Sequence, residues 1–263
     1  MIKLIASDLD GTLLPDLEQE LSEKSISLIH ELTLKGIHFV SASGRQYNNQ
    51  LRLFDKIKDE ISYIAENGTL CIHNGKIISH SPLDAQLAKA ILTEVKTDGR
   101  YGITVSGDYS YYLEDKDPEF VDLIVHHMKS TAQIVPDLLA LENPILKISI
   151  CNLHGDENAF LDYLAHLKSI FPKNIKIVTS GNMWIDFINK DANKGTSLKT
   201  LMDLFQISSD ECMVFGDQFN DIEMFQSAKY SFAMADSAPG VTKHAAYITP
   251  CVNDVLENLL SRI

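Results

Sequence analysis

Lys3-Leu4-Ile5-Ala6-Ser7-Asp8-Leu9-Asp10-Gly11-Thr12-Leu13-Leu14 opens the chain with a short apolar run that ends in two carboxylates and a glycine. A run of this length, closed by a turn signal, predicts a buried strand. In an extended chain, side chains two residues apart project to one side, so Asp8 and Asp10 can share one site. Gly11 then lets the backbone turn away at no steric cost. Read alone, the segment also fits a strand that merely ends in a solvated acidic turn. The rest of the chain decides between the two.

Strand and helix patterns alternate after it. Residues 22–35 read as a helix with Ile26, Ile29 and Leu32 on one face, Ser22 as its N-cap and Gly36 just past its last turn. A strand follows over 37–42, a helix from about 46 to 56 and a strand over 63–65. This order predicts parallel strands joined by right-handed crossovers, hence an α/β, Rossmann-like open parallel sheet. Ligands on such sheets bind beyond the carboxyl ends of the strands. Asp8, Ser43 and the Glu66-Asn67-Gly68 turn all fall there.

The middle of the chain changes character. Asn74-Gly75 is a hairpin signal, and Gly107-Asp108 separates two β-rich runs, 101–106 and 109–114. Helical patterns over 118–129 and 156–170 and strands over 147–151 and 175–179 complete an α+β module with an antiparallel sheet. It spans 82–187 as an insert, leaving 1–81 and 188–263 as the two halves of the α/β core. The α/β pattern returns at Lys194: a helix to about 205, a strand over 212–215, a helix over 221–227, a strand over 231–234 and a final helix over 252–261.

Composition narrows the function classes. With 263 residues, 45% apolar and 22% charged, the chain can bury a substantial core. Its net charge of −13 speaks against nucleic acid, which demands basic surfaces. No apolar run is long enough for a membrane span, and the N-terminus has no signal-peptide pattern. Cys71, Cys151, Cys212 and Cys251 are scattered, as buried thiols in a reducing cytoplasm would be. Neither they nor the nine histidines show zinc-ligand spacing. His126 and His127 are adjacent and so point to different faces of a helix, as surface residues.

Met213-Val214-Phe215-Gly216-Asp217-Gln218-Phe219-Asn220-Asp221 repeats the architecture of the opening segment: an apolar strand, then glycine and aspartate at its carboxyl end. Two carboxylates on neighbouring strand ends repel, so a cation belongs between them. Oxygen-only ligands select Mg²⁺. Asp221 also suits the N-cap of the next helix, or a place behind the metal. Asn220 also fits an ordinary turn. Ser41-Ala42-Ser43-Gly44-Arg45 leads from a strand into a helix, where the Ser43 hydroxyl and the amides around Gly44 can donate to a phosphate, although a plain Ser-Gly turn looks the same. In Asn193-Lys194-Gly195-Thr196, Lys194 is a point charge for a phosphate or a solvated helix-start lysine.

Taken together and in order, Asp8-x-Asp10-Gly11-Thr12, Ser43-Gly44-Arg45, Lys194 and Gly216-Asp217-x-x-Asn220-Asp221 resemble the four motifs of the haloacid dehalogenase-like hydrolases. With a large α/β insert between the second and third motifs, the chain is most similar to the Cof-type phosphatases over its whole length. That resemblance implies that Asp8 is a nucleophile forming an aspartyl-phosphate. Asp10 would be the acid and base that protonates the leaving oxygen and then activates water. Mg²⁺ would be held by Asp8, the Asp10 carbonyl, Asp217 and, through water, Asp221. Ser43, Gly44, Lys194 and Asn220 would bind the phosphate. It also implies an enzyme acting on a small phosphorylated metabolite, nominally a sugar phosphate, with specificity in the insert; the missing signal pattern and the cysteine usage predict a cytoplasmic location. Ser43 stands where many such proteins have threonine, which keeps the hydroxyl, and Asp186 where many have glutamate. A phosphomutase or phosphotransferase shares these motifs, and a non-catalytic phosphometabolite-binding regulator could keep the fold. No Gly-x-Gly-x-x-Gly follows the first strand, which disfavours a dinucleotide oxidoreductase.

Overall fold

A computed structural model describes residues 1–15, 18, 20–153, 156–171, 175–180 and 183–263. The chain runs β1 (Leu4–Ser7), α1 (Glu23–Leu34), β2 (His38–Ala42), α2 (Tyr47–Leu53), β3 (Ser62–Ala65), β4 (Leu70–His73), β5 (Lys76–His80) and α3 (Ala85–Val95). It continues through β6 (Gly102–Ser106), β7 (Tyr111–Leu113), α4 (Pro118–Asp122), β8 (Ala132–Ile134), β9 (Lys147–Cys151), α5 (Glu157–Ile170), β10 (Ile175–Ser180) and β11 (Trp184–Asn189). It closes with α6 (Lys194–Phe205), β12 (Cys212–Gly216), α7 (Ile222–Ser227), β13 (Tyr230–Met234), β14 (Tyr247–Thr249) and α8 (Val252–Leu260). Two compact units result: Met1–His80 with Ala192–Ile263, and Ser81–Asp191.

The first unit holds a sheet in the order β14-β13-β12-β1-β2-β3-β4-β5. All pairings from β14 to β3 are parallel, and β4 and β5 add an antiparallel hairpin across Asn74-Gly75. Leu4, Ile5 and Ala6 in β1 are all fully buried, which explains their unbroken apolar run: both faces of the strand are covered. The Ser22 side chain accepts from Ser25 N at the start of α1, which buries Leu28, Ile29 and Leu32. With β1 between β2 and β12, Asp8, Ser43 and Asp217 leave the sheet at one edge. The helix expected over 46–56 is shorter, ending at Leu53.

The second unit holds a sheet in the order β10-β11-β9-β6-β7-β8. Strand alternation puts Val105, Ile148, Ile150, Ile185 and Phe187 into one apolar cluster with Ile91 and Leu92 of α3 and Phe160 and Leu167 of α5. Thr104, Ser106, Lys147, Ser149 and Asp186 alternate with them and are buried too, with Lys147 Nζ 3.9 Å from an Asp186 oxygen.

Three expectations need correction here. The sheet is not wholly antiparallel: β7 and β8 pair in parallel, because the helical segment between them carries the chain back to the starting end. That segment is α4 followed by a wider π-type stretch, Leu123–His127, so it is not one regular helix. The second boundary falls at Ala192 and not at 188, because β11 keeps its partner to the Ile175↔Asn189 position. Asn189 Nδ2 also donates to Pro82 O at 3.0 Å, tying the end of this unit to its beginning. His126 and His127 are exposed, and Cys71, Cys151 and Cys212 are buried free thiols. Among the described residues no helix is long and apolar enough to cross a membrane.

Candidate active site

Asp8 follows β1, its N–H bound to Phe215 O of β12 at 3.0 Å. The residue is 5% exposed. Oδ1 accepts from Leu9 N at 2.7 Å and lies 2.8 Å from Lys194 Nζ. Lys194 opens α6, an unfavourable end of a helix for a cation, and is fully buried. Two carboxylates hold it there, since the same Nζ donates to Asp221 Oδ1 at 2.7 Å. It is therefore no solvated helix-start lysine. Burial pulls its pKa down, but Asp221 and Asp8 more than offset this and hold the ammonium above its ordinary value.

Asp221 departs from the N-cap reading. Its side chain makes no capping bond to α7 and its backbone is already helical. Instead Oδ2 accepts from Asp217 N and Gln218 N, each at 3.0 Å, so it braces the loop that leaves β12. Asp217 in turn accepts from Thr12 Oγ1 at 2.8 Å and from Gln218 Nε2 at 2.9 Å. Gly11 is what allows this approach: it has φ +75°, and a Cβ there would lie 2.6 Å from Asp217 Oδ2.

Carboxylate oxygens of Asp8, Asp217 and Asp221 can thus lie within 4.8 Å of one another. Burial, then the Asp221 charge, raises the Asp8 pKa well above the ordinary carboxylate range, against the pull of Lys194. Burial raises Asp217 as well. Three buried acids against one ammonium leave uncompensated negative charge, and every donor is a hard oxygen. That set fits a divalent cation of the Mg²⁺ kind.

Asp10 is elsewhere. Its side chain is half exposed and in a forked ion pair with Arg45, with Nε at 2.9 Å from Oδ2 and Nη2 at 2.5 Å from Oδ1. The strand ends at Ser7, so the same-side argument for Asp8 and Asp10 loses its premise, and the Asp10 carboxylate stands outside the three-acid cluster. Ser43 is buried, and its hydroxyl accepts from Arg45 N at 3.1 Å, which leaves its own proton to donate. Gly44 packs against the carboxamide of Asn67. Asn220 is no bare turn residue, because its Nδ2 donates to Asn67 Oδ1 at 2.9 Å.

The structure therefore brings Asp8, Lys194, Asp217 and Asp221 into direct contact, links Ser43, Gly44 and Asn220 through Asn67, and sets Asp10 on Arg45. Sequence reasoning gave no role to Thr12, Arg45, Asn67 or Gln218. Three of these stand inside or beside the quoted motifs, which was the available signal. Asn67 stood only in a strand-end turn.

Known proteins resemble this chain over nearly its whole length. A family model described as haloacid dehalogenase-like hydrolase matches residues 5–257. The 5-amino-6-(5-phospho-D-ribitylamino)uracil phosphatase YbjI of Escherichia coli is 30% identical over 94% of this chain and 90% of its own. The HMP-PP phosphatase of Cronobacter sakazakii is 28% identical over 91% of this chain and 86% of its own. A crystal structure from Eubacterium rectale superposes with a TM-score of 0.86 at 29% identity, covering 98% of this chain and 99% of that one. The chain belongs to the haloacid dehalogenase-like hydrolase family.

Proposed function

We propose that this haloacid dehalogenase-like hydrolase is a Mg²⁺-dependent cytoplasmic phosphatase that hydrolyses small phosphorylated metabolites through an aspartyl-phosphate on Asp8. The observation that carries the reading is the state of the Asp8 carboxylate. Its Oδ1 is held by Leu9 N and Lys194 Nζ, while Oδ2 accepts no hydrogen bond among the described residues. One oxygen is anchored and the other is free to attack.

In the first step Asp8 Oδ2 bonds to phosphorus, the bond to the leaving oxygen breaks, and a proton passes from Asp10 to that oxygen. In the second, water attacks phosphorus, gives its proton to Asp10, and releases inorganic phosphate and the Asp8 carboxylate. Asp10 begins as an ion-pair partner of Arg45, so its use as an acid requires that pair to open. Ser43, the Gly44 amide, Lys194 and Asn220 neutralise and orient the transferring group, and positioning with charge neutralisation is most of what phosphoryl transfer needs. Mg²⁺ bound by Asp8, Asp217 and the Asp10 carbonyl would offset the charge of the phosphate. Asp221, whose oxygens already accept from Lys194 and two main-chain N–H groups, would serve it through water.

Residues 81–191 would carry the choice of leaving group. The relatives' names include a phosphorylated ribityl compound, which supports a sugar-like phosphate as the nominal substrate. Phosphate release from a panel of phosphorylated sugars, sugar alcohols, nucleotides and vitamins tests the reading. The wild type is expected to hydrolyse several of them with Mg²⁺ and none with EDTA, and folded Asp8→Asn to be inactive. Turnover that survives in Asp8→Asn would overturn the nucleophile assignment. Silence of the Mg²⁺-bound wild type across the panel would overturn the phosphatase.

A further inference from the structure

The loop after β3 holds three successive residues with left-handed backbone: Glu66 at φ 50°, Asn67 at φ 58° and Gly68 at φ 94°. For glutamate and asparagine this conformation is uphill and persists only where the surroundings impose it. Those surroundings are the phosphate-binding segments themselves. Asn67 N donates to Ser43 O and Glu66 N to Arg45 O, each at 3.1 Å, latching the turn after β2. Gly68 O accepts from Ser197 Oγ at 2.8 Å, and a Cβ on Gly68 would fall 2.2 Å from Asn193 O and 2.8 Å from Lys194 N. The loop thus rests on the first turn of α6, the turn that presents Lys194.

The Asn67 side chain completes the set. Its Oδ1 takes one proton of the Asn220 carboxamide at 2.9 Å, across 153 residues of sequence. A carboxamide nitrogen carries two protons, and engaging one fixes the plane and direction of the other. Asn220 Oδ1 is buried without a hydrogen-bond partner among the described residues, so Asn67 is what fixes that side chain. The same Asn67 carboxamide lies over Gly44, where an added Cβ would come within 3.1 Å of it.

We infer that Asn67 is a positioning residue for the phosphate site, acting by aiming the free N–H of Asn220 and by bracing the Ser43–Gly44 turn. The inference rests on the proposed phosphatase reading and adds to it a residue that touches no reacting atom.

The test is the cost of Asn220→Ala in three backgrounds, read by calorimetric binding of inorganic phosphate with Mg²⁺ present and by hydrolysis of p-nitrophenyl phosphate. In the wild type that substitution is expected to weaken phosphate binding about tenfold, as loss of a hydrogen bond to a charged group does. In Asn67→Asp, which keeps an acceptor for Asn220, the cost is again about tenfold. In Asn67→Gly, which tolerates the left-handed backbone and removes only the side chain, it falls below about twofold. A merely structural role would lower Tm in Asn67→Gly while Asn220→Ala still cost its full tenfold, and that result would overturn the inference. Phosphate binding with this pattern but no hydrolysis by any variant would remove the phosphatase reading and leave Asn67 in place. Hydrolysis with equal costs in all three backgrounds would do the reverse.

Discussion

Asp8 and Asp10 are two residues apart and occupy opposite surroundings. Asp8 is buried, bonded to a backbone N–H and to a lysine that no solvent reaches. Asp10 is half exposed, and its partner is a guanidinium on a flexible stem. The interior acid is held by groups sealed inside the core, whereas the outer acid is held by a partly exposed ion pair. A nucleophile benefits from the first condition, because its geometry is set before substrate arrives. A group that must carry a proton in and out benefits from the second.

The contrast breaks most severely at Lys194. Lys194→Met removes one member of a fully buried ion cluster and leaves Asp8 and Asp221 facing each other. Losses of this kind cost about 3–5 kcal/mol, so Tm is expected to fall by about 10 °C, with hydrolysis lost. Thermal unfolding with a change under about 2 °C would show that the cluster is not what holds this region. Next comes Asp10→Asn, expected to lower kcat by about 10²–10⁴-fold for alkyl phosphates, with Tm almost unmoved. In kcat/KM, which stops at formation of the aspartyl-phosphate and so omits the water step, the loss should shrink for p-nitrophenyl phosphate, whose leaving oxygen needs no proton. An equal loss for both substrates would remove the acid role. Smallest is Arg45→Ala, where a partly exposed pair contributes about 1 kcal/mol or less, read as a Tm change of about 2 °C at most. A larger fall would place Arg45 with the interior cluster and end the distinction.

Much of this arrangement was legible in the sequence, and the reasons differ by element. The run Leu4–Ser7, the N-cap at Ser22 and the Asn74-Gly75 turn are written in neighbouring residues, so local chemistry sufficed. The spacing of Ala88, Ile91, Leu92 and Val95 was an equally plain helix signal in α3, but it drew no reading. β14 has three residues and too little pattern to find. The side-chain partnerships were out of reach for another reason. Thr12 with Asp217 and Asn67 with Asn220 join residues 205 and 153 positions apart, and nothing local to either partner encodes the other. For Asp221, N-cap preference pointed the wrong way, because two unsatisfied N–H groups in the preceding loop competed for the same oxygen and prevailed.

The hydrogen bond from Asn189 to Pro82 has a consequence for how such a chain can be rearranged. Residues 81–191 enter and leave at one clasp, and Leu83 N, bound to Ile145 O at 2.8 Å, anchors the entering side within the same unit. An insert closed on itself in this way behaves as a cassette: its termini stay adjacent when it is cut free, so it can be exchanged between hosts or expressed alone. If the insert selects the leaving group, as proposed, trading this one module would change the substrate and leave the Asp8 cluster as it is.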